Sequence, residues 1–239
     1  MNNATHLLAT DLDGTLVGDR KGLDNLLEFY AVQQYDVSLI YITGRHFQSA
    51  MSLIEEENLP APDVLITDVG TEIHLGSTLE KDLDWENRML RHWQPDTIDQ
   101  LASSFEGLRK QDLPINNRCS FYADNSSTVH EFEQRLASAG IPHKLIFSGG
   151  RDLDILPAES GKGAALQYIL DKFNAHEAKM LVAGDSGNDK EMLTMGLPSV
   201  IVGNAQPELR ESPDSPMIFR ASKVCAGGIQ EAWNYFHPE

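Results

Sequence analysis

Apolar positions recur in one rhythm at the two ends of the chain and in another through its middle. His6–Thr10 is a short, mostly apolar run closed by Asp11. Leu23, Leu26, Leu27, Tyr30 and Ala31 then fall at helical spacing, one apolar stripe of an amphipathic helix. Val37–Ile42 predicts a second strand, ended by Thr43-Gly44-Arg45. Phe47, Ala50, Met51 and Ile54 predict a helix stopped before Pro60, and Val64–Thr67 predicts a third strand. The last third resumes the rhythm. Leu166, Ile169, Leu170 and Phe173 form a helical stripe after Gly161-Lys162-Gly163. Strands follow at Met180–Ala183, ending in Gly184-Asp185, and at Ser199–Val202, ending in Gly203-Asn204. This βαβ alternation predicts an α/β architecture, a parallel sheet with helices on its faces.

Residues 80–158 read differently. A helix opened by Pro95 (Ile98, Leu101, Ala102, Phe105) precedes a strand at Cys119–Ala123. A second helix (Val129, Phe132, Leu136) closes at Gly140 with Pro142 beyond, and strands follow at Lys144–Phe147 and Leu153–Leu156. The expected organisation is a Rossmann-like core, 1–79 and 159–239, carrying a smaller inserted α+β domain, 80–158.

Composition narrows the function. The 239 residues are 41% apolar and 23% charged, which fits a soluble globular chain. A net charge of −17 argues against nucleic acid and anionic membranes as partners, since both require clustered Lys and Arg. With 2 cysteines, no basic leader before Asp11 and no apolar run of membrane length, a cytoplasmic location is expected. The triplets Asn3-Ala4-Thr5 and Asn125-Ser126-Ser127 then read as chance matches to a glycosylation signal.

In open α/β sheets, ligands bind beyond the carboxyl ends of the strands. The residues that follow three of the apolar runs are Asp11-Leu12-Asp13-Gly14-Thr15, Thr43-Gly44-Arg45 and Gly184-Asp185-Ser186-Gly187-Asn188-Asp189. Asp11, Asp13, Asp185 and Asp189 would thus converge on one sheet edge. Two carboxylates ~4 Å apart repel by about 4 kcal/mol at an effective dielectric near 20, which a hard divalent cation relieves. Mg²⁺ suits such a site because it accepts a few carboxylates, keeps waters and takes a phosphate oxygen. A single strand-end Asp is ordinarily a turn or cap residue, but turn chemistry does not require the whole set.

These segments, with Thr43 and Lys162, resemble the four motifs of the haloacid dehalogenase superfamily of phosphohydrolases. The insertion resembles its C2-type cap. Val69-Gly70-Thr71-Glu72-Ile73, Cys119-Ser120-Phe121-Tyr122, Asp154-Ile155-Leu156-Pro157 and Asn204-Ala205-Gln206-Pro207-Glu208-Leu209 are similar to the sucrose-phosphate phosphatase family. The resemblance implies a Mg²⁺-dependent phosphatase of sucrose 6-phosphate, or of a related phosphosugar such as mannosylfructose phosphate. It implies Asp11 as nucleophile and Asp13 as proton carrier, with Thr43 and Lys162 binding the phosphoryl oxygens. Asp185 would ligate Mg²⁺ with Asp11 and the backbone carbonyl of Asp13. Asp189 would complete the metal site from behind the direct ligands or through water, and Asn188 would hold the Asp11 side. A sucrose-phosphate-synthesising enzyme is the implied protein partner.

Further candidates carry two readings each. Arg45, with Gly44, could fork a phosphate or sugar, or cap the next helix at the surface. Gln48 could face the sugar or water. Asp152 and Asp154 share a strand face that either presents carboxylates to sugar hydroxyls or meets solvent. Trp85, His92 and Trp93 read better as packing than as a sugar-stacking surface. Arg118 stands where relatives tend to carry Lys, which changes the geometry of any sugar contact there. A phospho-accepting protein without turnover is a competing class, but it has no use for Asp13 or a cap.

Overall fold

The computed structural model describes residues 5–238, so Asn3 and Ala4 of the first triplet lie outside the described residues. The first third forms β1 (His6–Thr10), α1 (Arg20–Ala31), β2 (Val37–Ile42), α2 (Phe47–Glu56) and β3 (Val64–Thr67). Next come β4 (Glu72–Leu75), β5 (Glu80–Lys81) and α3 (Leu83–Leu90). The middle supplies α4 (Pro95–Ala102), β6 (Leu108–Lys110), β7 (Cys119–Ala123), α5 (Ser126–Ser138), β8 (Lys144–Ser148) and β9 (Asp152–Leu156). The last third adds α6 (Lys162–Phe173), β10 (Lys179–Gly184), α7 (Lys190–Leu193), β11 (Ser199–Ile201), α8 (Pro207–Arg210), β12 (Ile218–Arg220) and α9 (Cys225–Phe236).

The larger sheet has eight strands in the order β12-β11-β10-β1-β2-β3-β4-β5. It is parallel from β12 to β3, as the alternation predicts, and then turns antiparallel. Its central strand β1 is buried at every position because helices cover both faces. One face packs Leu7, Ala9 and Ile40 against Leu166, Ile169 and Leu170 of α6. The other packs Leu8 and Tyr41 against Leu23 and Leu26 of α1, with Ile229 and Trp233 of α9.

The antiparallel edge corrects one expectation. β5 pairs with β4 in the larger sheet, and Trp85 and Met89 of α3 lie in its core. The expected boundary at residue 80 therefore falls inside the larger layer. β4 and β5 are half or wholly polar, so unlike the equally short apolar runs of β3 and β11 they are not marked in the sequence.

The smaller sheet is antiparallel, in the order β6-β7-β9-β8, and has its own core. Phe121, Leu153 and Ile155 pack on Ile98, Phe132 and Leu136 of α4 and α5. Ser120 and Asp154, paired across β7 and β9, alternate onto the opposite face and are nevertheless buried. Among the described residues, no helix is long and apolar enough to cross a membrane.

Candidate active site

Asp11 leaves β1 as its amide completes one last ladder bond to the Ala183 carbonyl (3.0 Å). The chain then folds tightly, with the Leu16 and Val17 amides both donating to the Leu12 carbonyl. Gly14 takes φ +78°, and a Cβ there would stand 2.7 Å from Asp185 Oδ2. Glycine is thus required twice, by the left-handed backbone and by the approach of the β10 loop.

Lys162, the first residue of α6, is fully buried and donates from Nζ to Asp11 Oδ1 and Asp189 Oδ1, both at 2.6 Å. Asp189 Oδ2 accepts from the amides of Asp185 (2.9 Å) and Ser186 (3.0 Å), closing a capping box on the turn that carries Asn188. Thr15 Oγ1 donates to Asp185 Oδ1 (3.3 Å). Carboxylate oxygens of Asp11, Asp185 and Asp189 all lie within 4.8 Å of one another, and all three residues are buried.

The remaining expected site residues spread around this cluster. Thr43 is fully buried at the end of β2, and its Oγ1 accepts from the Arg45 amide (3.1 Å). Gly44 lies beside Asn188, whose Oδ1 accepts from Ser186 Oγ (3.1 Å). Asp13 is not in the carboxylate cluster. Its half-exposed side chain is gripped by Arg45, Nε to Oδ2 at 2.7 Å and Nη2 to Oδ1 at 2.8 Å. Arg45 is therefore neither a helix cap nor a free surface side chain. Gln48 contacts His46 (3.3 Å) and lines a cavity of about 390 Å³ between the layers, with Asp68 and Asn117. Asp152 accepts from Gln111 (3.3 Å), and Asp154 accepts from Ser120 (2.6 Å) and Arg118 (2.8 Å). Trp85 and Trp93 serve packing, donating from their indoles to the Gly70 (3.2 Å) and Asn116 (2.7 Å) carbonyls.

The electrostatics follow from one cation among three carboxylates. Burial, then Asp189 and Asp185, push Asp11 up to about 8 against the pull of Lys162. Burial and Asp189 push Asp185 up to about 6. Burial opposes the Lys162 ammonium, but Asp11 and Asp189 outweigh it and hold its pKa above the usual lysine value. A hard divalent cation fits this set. All donors are oxygens, Gly14 keeps space beside Asp185 Oδ2, and Asp189 already spends both oxygens on Lys162 and backbone amides.

Residues 4–237 match the family model of sucrose-6F-phosphate phosphohydrolase. The chain belongs to that family. Sucrose-phosphatase 1 of Nicotiana tabacum is 34% identical over 97% of this chain, which spans 59% of that relative's length. A mannosylfructose-phosphate phosphatase of Agrobacterium fabrum is 32% identical over 85% of each chain. The solved Synechocystis sucrose-phosphatase, in complex with sucrose and phosphate, superposes with a TM-score of 0.91 at 36% identity, covering 98% of both chains. The α/β fold is of the haloacid dehalogenase type.

Three positions take roles in this sucrose-6F-phosphate phosphohydrolase family member that the sequence alone did not assign. Asn204 fastens the turn after Asp11, donating to the Gly14 carbonyl (2.7 Å) and accepting from the Cys225 amide (2.8 Å). Glu208 accepts at 3.3 Å from the Gly187 amide of the loop after β10 and from the Gly149 amide of the smaller layer. Asp68, fully buried, directly follows the apolar run of β3. The rule that singled out Asp11 and Asp185, applied to every strand end, would have found it.

Proposed function

We propose that the protein is a Mg²⁺-dependent phosphatase that hydrolyses sucrose 6-phosphate to sucrose and phosphate. The observation that carries this reading is Asp11, buried with Asp185 and Asp189 within 4.8 Å and held by the Lys162 ammonium. In the proposed reaction Asp11 attacks phosphorus while the bond to the sugar oxygen breaks, and Asp13 delivers a proton to that oxygen. Water then attacks the aspartyl-phosphate and gives its proton to Asp13, releasing phosphate and restoring Asp11. Asp11, Asp185 and the Asp13 carbonyl would hold Mg²⁺, which when bound would supply positive charge to the phosphoryl oxygens. Thr43 and Lys162 contribute the remaining stabilisation from this chain.

Arg45 refines the role of Asp13. Arg45 engages both Asp13 oxygens, so that grip has to open before Asp13 can reach the leaving oxygen. An incoming phosphoryl group competes for Arg45 and provides that release. The smaller layer stands over the strand ends as the cap that would exclude water and select the sugar. The match to a mannosylfructose-phosphate phosphatase over 85% of both chains supports that phosphosugar as the second candidate substrate.

Phosphate release from a panel of phosphosugars decides the reading. Sucrose 6-phosphate is expected to give the highest kcat/KM. A higher value for mannosylfructose phosphate selects the second candidate, and no release from any member refutes both.

A further inference from the structure

Arg118 lies just before β7 in the smaller layer, yet two of its three hydrogen bonds reach into the larger one. Nη2 donates to the Gly44 carbonyl (2.9 Å) and Nε to Asp68 Oδ1 (3.3 Å), while Nη1 donates to Asp154 Oδ1 (2.8 Å) within its own layer. The guanidinium is buried, 8% exposed, between carboxylates that are 1% and 11% exposed. Such a group is expensive to enclose and is held only where both anions stay in place.

Asp68 is built to meet it. Asp68 and Val69 both adopt left-handed backbone, φ 51° and 58°, which is costly at Val69 because its β-carbon is branched. The strained pair is stitched to the loop after β2. The Asp68 amide donates to the Arg45 carbonyl (2.9 Å), and the Val69 amide to the Thr43 carbonyl (3.1 Å). Arg118 adds the Gly44 carbonyl between those two, so three successive carbonyls of the Thr43–Arg45 loop are held from one side. Among the described residues, Asp68 Oδ2 makes no well-formed hydrogen bond, and of the side chains that offset its burial, with Asn117 and His46 nearby, Arg118 at Oδ1 is the strongest.

We propose that Asp68 and Arg118 are positioning residues, a clasp between the two layers that sets the Thr43–Arg45 loop when the smaller layer is seated on the larger. Thr43 then presents its hydroxyl, and Arg45 its guanidinium, only in the seated state. The kinetic consequence rests on the proposed phosphatase reaction, whereas the clasp itself does not.

The test uses the full chain as wild type, Asp68→Asn, Arg118→Lys, Arg118→Met and the double variant D68N/R118M. Asparagine tolerates the left-handed backbone, so Asp68→Asn removes charge without imposing a new conformation. Amide hydrogen exchange is followed over residues 43–47 and 68–71 without substrate. Asp68→Asn and Arg118→Met are each expected to speed exchange there by about tenfold, Arg118→Lys by less, and the double variant by no more than Arg118→Met. In phosphate release the same variants should lower kcat more than they raise KM, with the same non-additivity. Unchanged exchange in the single variants, or additive effects in the double, overturns the clasp. So does a rise in KM confined to the Arg118 variants with exchange unaltered, which would make Arg118 a direct sugar contact. If Asp68→Asn does not fold, the two Arg118 variants decide, Lys retaining protection and Met losing it. A wild type that releases no phosphate would refute the phosphatase reading, and the exchange data would still decide the clasp.

Discussion

At the scale of residues, Asp11, Asp185 and Asp189 share one buried lysine, and in the metal-free protein this arrangement costs stability. A carboxyl whose pKa is higher in the native state keeps its proton longer there than in the unfolded chain. Its contribution to stability is therefore greatest near or below the ordinary value of 3.8 and is lost as pH rises through about 6 for Asp185 and about 8 for Asp11. Asp185→Asn should accordingly stabilise the protein in chelator at pH 7 by about 1–3 kcal/mol, with the difference vanishing near pH 4. Urea midpoints at the two pH values measure this, and an equal gap at both would sink the explanation. Asp11→Asn is expected to reduce phosphate release by about 1,000-fold or more while leaving the circular dichroism spectrum unchanged. Near-normal turnover in that variant would remove Asp11 from the nucleophile's role.

Among the elements, β1, β2 and β10 were legible because their apolar runs end abruptly in the residues that matter. The carboxyl-terminal halves of these parallel strands are buried on both faces, so Asp11, Thr43 and Asp185 stand out just beyond or at their ends. β4 and β5 were not legible, nor was the assignment of α3 to the larger core, because their polar residues form no apolar run of the kind that marks β3 and β11. The 204–208 segment was legible as a motif but not as a device. Its purpose is visible only where Asn204 reaches the Gly14 carbonyl, 190 positions away in the chain. Asn204→Ala removes its hydrogen bonds to the Gly14 carbonyl and to the Cys225 amide and thiol, and should cost about 2 kcal/mol of stability. It should also lower kcat by about tenfold, because the Asp13–Thr15 turn loses its anchor. A variant that unfolds earlier but keeps full kcat would leave Asn204 a purely structural residue.

For the whole molecule, the net charge of −17 would oppose the proposed anionic substrate at long range, while Lys162, Arg45 and the proposed cation would attract it at short range. Raising ionic strength from about 0.01 to 0.15 M shortens the reach of the first more than the second, and should raise kcat/KM by about two- to fivefold. A fall in kcat/KM over that range would show that long-range attraction dominates instead. Chelation should abolish phosphate release and Mg²⁺ should restore it; full activity in chelator would exclude the metal's role. The sequence by itself determined the α/β alternation, the inserted layer and the acidic strand ends, since burial on a sheet and turn chemistry are written in local pattern. Only the tertiary structure decided that Asp13 is gripped by Arg45, that Asp189 holds loops and Lys162, and that Arg118 spans the layers to Asp68. Those pairings join charges from distant parts of the chain, and burial fixes which partner each can reach.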